Sequence, residues 1–158
     1  MFRELTRKKQ ALLREECLEL LRREKRGVLS VQGDGGYPYG MPLDHWYCEE
    51  DGCLYFHSGK RGHKMDALSR CDKASYCVFD QGEFREGDWA PFVRSVIVFG
   101  RVRMVTDSAR IIAITRQLSL KYTQDLDYIE HEIRTSGPAT AVFALVPEHI
   151  TGKIVHEK

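Results

Sequence analysis

The chain has 158 residues, the size of one domain, and can bury roughly two-thirds of its unfolded surface. Its 24 Lys and Arg against 23 Asp and Glu leave no field of the kind that draws nucleic acid, and no apolar run approaches the roughly 20 residues of a membrane span. Five cysteines without a CxxC pair, and N-terminal charges that precede no apolar core, point to a reduced cytoplasm and away from secretion or a structural metal.

Between Arg7 and Arg26, Leu12, Leu13, Cys17, Leu20 and Leu21 recur at helical spacing among charged residues, which predicts an amphipathic helix packed on the core and ending before Gly27. Val28–Gln32 reads as a strand and Gly33–Gly36 as a turn into a second strand, Tyr37–Tyr47. Pro38 and Pro42 lack an N–H, so that strand is expected at an edge or with a bulge. Glu49–Gly52 is a turn signal returning the chain into a strand at Cys53–His57.

The run from Leu54 to Leu68 is the most informative in the sequence. An apolar strand opens into a loop with Gly59, Lys60, Arg61 and Gly62, and the loop feeds a helix from His63 to Arg70. Unpaired N–H groups at a helix start, with Lys60, Arg61, His63 and Lys64 beside them, suit a bound phosphate; a basic surface turn is the alternative. Ala74–Phe79 and Arg94–Val105 read as strands, and Gln81–Pro91 as a polar loop carrying Phe84 and Trp89. Helices are predicted over Ser108–Tyr122, capped by Asp107 or Ser108, and over Leu126–Arg134. Ala139–Val146 closes as a strand, with Gly152–Val155 as one more.

Strand-rich hairpins, one short helix and late helices indicate an α+β fold whose antiparallel sheet closes as a small barrel, in a single domain over 1–158. Neither GxGxxG nor GxxxxGK[ST] is present.

Tyr39-Gly40-Met41-Pro42-Leu43, Asp51–Ser58 followed by Gly62-His63-Lys64, Arg94–Arg101 and Ile150–Lys153 stand in an order and spacing that resembles the FMN-binding split-barrel superfamily. Within it, the chain is similar to the Nim-type, 5-nitroimidazole-resistance-related branch of the pyridoxamine 5'-phosphate oxidase-like proteins. The resemblance spans about Gly27 to Gly152 and implies a split β-barrel with flanking helices, a homodimer, and FMN held in clefts between the subunits. Met41, Pro42, Leu43 and Asp44 match the strand whose backbone runs beside the isoalloxazine. His57 and Ser58 match the strand end that reaches the ring and phosphate side, His63 and Lys64 the basic pair on the phosphate, and Ser95 a polar contact to the flavin.

An imidazole at 63 replaces the arginine usual in the oxidases, and no Trp- and Arg-containing segment follows Lys158, so vitamin B6 oxidation is not expected. His45 and Trp46 read as packing or interface residues, and Trp89 as a loop anchor. The function implied is an FMN-dependent oxidoreductase acting on a small molecule with an external electron donor, nitroaromatic reduction being one form; no catalytic residue stands out. A non-catalytic flavin-binding or sensing protein, or a haem-binding relative using His57, His63 or His149, are the alternatives.

Overall fold

A computed structural model describes residues 1–158. Seven strands form one antiparallel sheet: β1 (Arg26–Gln32), β2 (Pro38–Asp44), β3 (Trp46–Tyr47), β4 (Leu54–Gly59), β5 (Lys73–Phe79), β6 (Phe92–Met104) and β7 (Thr140–His156). Their spatial order is β2-β1-β5-β6-β7-β4-β3. β2 and β3 therefore occupy opposite edges, yet only His45 separates them in sequence. One residue spans about 3.5 Å, so the sheet must curl until its two edges meet. The edges meet without pairing, which makes the barrel split. The two prolines of β2 sit on that unpaired edge, as their missing N–H groups require.

The corner at His45 is locked from inside. Its ring is fully buried, with Nε2 at 2.7 Å from the carbonyl of Leu21 and Nδ1 at 3.0 Å from the Tyr76 hydroxyl. A carbonyl only accepts, so Nε2 carries the proton. Burial, followed by the nearby charge of Lys121, pushes the ring down to about 3, so it is neutral. His45 is thus a packing residue of the fold.

Barrel strands alternate faces, and Leu29, Val31, Phe56, Tyr76, Val78, Val96, Val98, Phe143 and Leu145 fill the interior. Burying each large side chain contributes about 1.5–3 kcal/mol. Helix α1 (Arg14–Arg23) closes one side through Cys17, Leu20 and Leu21. It packs where a Cβ at Gly152 would lie 2.5 Å from the Cys17 sulfur, so only glycine admits the helix there.

Helix α3 (Ser108–Leu120) covers the outer face of β4 and β7 with Ile114 and Leu118 on Tyr55, Val142 and Ala144. Leu54, Tyr55 and Phe56 are consequently all buried, the barrel taking one face and α3 the other. Helix α4 (Leu126–Ser136) lies beside α3, and α2 (His63–Arg70) follows β4. Asp107 and Asp125 cap α3 and α4 by accepting from Arg110 and Tyr128 backbone N–H groups.

Three boundaries differ from expectation. The N-terminal helix starts at Arg14, not Arg7, with Glu16 accepting the Leu13 N–H at 2.6 Å; Leu13 lies outside the helix and is exposed. The second strand breaks at His45 into β2 and β3. The two late strands are one, because Pro147 falls opposite the irregularity between Phe99 and Gly100 and so breaks no regular pairing. No helix is long and apolar enough to cross a membrane.

Candidate functional site

At the end of β4 the chain leaves the barrel through Gly59 and enters α2, whose N-cap Gly62 has φ 119°, a conformation that favours glycine. The first-turn N–H groups of α2 are exposed there with Lys64 beside them. Lys64 is half-buried, its Nζ lies 6.0 Å from the Phe143 ring centroid, and no carboxylate neutralises it. Burial holds its amine below the ordinary lysine value. Ser58 faces the same turn, its hydroxyl donating to the Gly59 carbonyl at 2.9 Å and lying 3.7 Å from the Met65 sulfur.

His63 takes a different direction. Its ring stacks on Tyr39 at 4.0 Å, and Nε2 lies 3.4 Å from the carboxylate of Asp34, which Arg70 also holds at 2.5 Å. The turn between β1 and β2 thus supplies an anion to His63 and Arg70.

Past the barrel edge, Asp44 and His57 form one wall of a cleft of about 330 Å³ whose other wall is α3 and α4. Asp44 accepts from Arg26 at 2.5 Å and 3.3 Å. Although burial opposes its charge, Arg26 and the nearby Tyr122 hydroxyl keep Asp44 below the usual carboxylate range. His57 is pushed down by burial, an effect the charge of Lys64 reinforces and that of Asp44 opposes, so its neutral form is favoured. The helices present polar faces at helical spacing: Thr115, Ser119 and Tyr122 on one side, Tyr128, Glu132 and Ser136 on the other.

The nine residues expected at a cofactor are therefore partly gathered. Asp44 and His57 share the cleft, and Ser58 and Lys64 meet at the β4–α2 junction, with His63 beside them. Met41 and Leu43 point into the core and Pro42 outward, so β2 can offer its backbone at the edge. Ser95 stands apart. It pairs with Phe79 and Lys153, and Phe79 shares a hollow with Arg26 and Pro42, so Ser95 lies on the β1–β2 side of the sheet and not at the β4–α2 junction. The helix residues of the cleft were not anticipated. Their signal was a polar residue every fourth position, 128, 132 and 136, on the helix expected over Leu126–Arg134 and the residues just after it.

The sequence profile described as pyridoxamine 5'-phosphate oxidase matches residues 13–154. The chain belongs to that family. No curated protein matches it. Among solved structures, this family member is similar to a candidate 5-nitroimidazole antibiotic resistance protein of Bacteroides thetaiotaomicron, with 17% identity, 91% of this chain and 86% of that one covered, and a TM-score of 0.74. It is also similar to an FAD-binding protein of Mesorhizobium loti, with 23% identity, coverage of 92% and 97%, and a TM-score of 0.66. A third is the flavocytochrome Anf3 of Azotobacter vinelandii, with 19% identity, coverage of 96% and 72%, and a TM-score of 0.70. At these identities the likenesses establish the fold, an α+β split barrel.

Proposed function

We propose that the chain binds a flavin, FMN in the first instance, and works as a cytoplasmic oxidoreductase on a small molecule. The observation that carries the reading is Lys64: a half-buried amine without a carboxylate partner, beside Ser58 and the free N–H groups of α2, at the end of the strand whose His57 opens the cleft. A lone buried cation is costly unless an anion completes it, and a phosphate is an anion that a helix start also favours. The residues present fit a flavin phosphate at this junction, with the ring lying along the β2 edge toward Asp44 and His57. A bound flavin would supply the electron or hydride transfer, and the chain's residues would position it and exclude water.

A homodimer with the flavin held between subunits is the assembly that the split-barrel resemblance favours. Phe79, Phe84 and Trp89, exposed on the same end of β5 and the loop after it, give such a contact apolar area. His45 and Tyr47 are buried within the protomer, leaving Pro42 and half-buried Trp46 as the parts of the β2–β3 corner that a partner can touch.

Two solved relatives named as FAD-binding favour a second reading in which the flavin is a dinucleotide. Nitroaromatic reduction is the form of activity suggested by the Bacteroides relative. Heat release of the cofactor from the purified protein, with its mass measured, separates FMN from FAD. Turnover of a nitroaromatic with a nicotinamide donor tests the activity.

A further inference from the structure

The cleft between β4 and the α3–α4 pair has a hydrogen-bonding character that the family likeness does not supply. A hydroxyl has one proton to give and two lone pairs to offer. The Thr115 hydroxyl donates to the Ile111 carbonyl at 2.8 Å, and that of Ser119 donates to the Thr115 carbonyl at 2.9 Å. The Thr140 hydroxyl donates to the Ser136 carbonyl at 2.9 Å, and Ser136 points its own at Glu132 at 3.4 Å. Each of these protons is used inside the chain, so what remains for a ligand is a set of acceptor lone pairs.

The charged groups agree with that bias. Glu132 has no cationic partner, whereas Glu130 two residues before it is held by Arg116 at 2.7 Å. Asp44 stands on the opposite wall, its charge already held by Arg26, which leaves Glu132 as the unpaired carboxylate of the cleft. The donors left are fewer: the Tyr128 hydroxyl, one N–H of His57 and the hydroxyl of Thr123, which accepts the Asp125 N–H at 3.1 Å, while the Tyr122 hydroxyl lies against Asp44; the rings of Tyr122 and Tyr128 stand half-exposed at the mouth. We infer that this cleft receives a small planar ligand rich in hydrogen-bond donors and carrying positive charge, an amidine or an amino-substituted aromatic ring, with Glu132 as its anchoring residue.

A cavity of about 330 Å³ lies at the small end of the range for ligand sites and suits one ring-sized molecule. Two edges fit poorly. A nitro group offers acceptors alone, and the pyrimidine edge of a flavin offers chiefly carbonyl oxygens, so both would set acceptors against acceptors. The cleft is therefore the place for a molecule beside the flavin, not for the flavin's polar edge. Its role as a substrate pocket rests on the flavin reading; its ligand preference does not.

The test is calorimetric titration of the purified protein with benzamidine, benzoate and nitrobenzene, three probes of one ring size that differ in charge and donors. Benzamidine is expected to bind at least about tenfold more tightly than either of the others. E132Q is expected to lose at least about fivefold in benzamidine affinity, while its flavin content, read from visible absorbance, stays that of the wild type. Benzamidine binding by a protein without flavin would support the inference and refute the flavin reading. Flavin-loaded protein that ignores benzamidine, prefers benzoate or nitrobenzene, or binds benzamidine equally well as E132Q would overturn it. Should E132Q not fold, the ranking of the three probes on the wild type decides alone.

Discussion

Lys121 donates to the backbone carbonyl of His45 at 2.6 Å and to that of Glu24 at 2.7 Å, tying the end of α3 to the one-residue corner where the split barrel closes. Burial pushes its amine from the ordinary 10.5 down to about 8. Between those values the unfolded chain holds a proton that the folded one has released, so this group's contribution rises with pH across the window and is lost as pH falls through 8. Lys121→Met is expected to lower stability, and the gap between wild type and variant should widen from pH 8 to pH 10. Urea denaturation at several pH values measures it; a gap that narrows over that range would contradict the assignment.

Tyr76 is fully buried, and its hydroxyl donates to the Leu43 carbonyl at 2.6 Å with the Nδ1 of His45 lying 3.0 Å away. Tyr76→Phe leaves the buried Leu43 carbonyl without that donor and removes the polar contact to the His45 ring. A loss of about 1–3 kcal/mol is expected in equilibrium denaturation. A change below about 0.5 kcal/mol would mean that the corner holds without this bond.

The fold was largely legible because its signals are local. Alternation marked the strands, Pro38 and Pro42 marked an edge, and Asp107 marked a helix start. What was not legible depends on distant pairing. Ala139–Val146 and Gly152–Val155 read as two strands, yet β7 runs through Pro147 and Gly152 as one because the irregularity at Gly100 and the packing of Cys17 accommodate them. At the site, the Leu54–Lys64 run was visible as strand, glycine loop and cations, whereas Thr115, Ser119 and Glu132 join it only after α3 and α4 fold back over His57. Asp34 as a partner of His63 was equally hidden, being 29 residues away in sequence.

Lys64→Ala is expected to weaken flavin binding roughly tenfold to a hundredfold, as loss of a charge-assisted contact of about 1.5–3 kcal/mol, while Lys60→Ala changes it little. Lys64 is half-buried at the start of α2, whereas Lys60 is an exposed loop residue. Fluorescence titration with FMN measures both. Equal, sub-twofold effects would remove Lys64 from the phosphate site.

His63 faces Asp34 at 3.4 Å, so that carboxylate competes with a phosphate for the imidazole. Asp34→Asn is therefore expected to tighten FMN binding by roughly twofold to fivefold, the scale of an exposed ion pair. Weaker binding by the variant would show that Asp34 orients His63 toward the phosphate instead of competing with it.

The visible spectrum of the purified protein, taken with the mass of whatever heat releases from it, tests the central claim most directly. The account predicts the two-band absorbance of an oxidised flavin and a released flavin phosphate, both much reduced in Lys64→Ala. A colourless protein that ignores added FMN and FAD, or one showing a Soret band in place of the flavin bands, would contradict it.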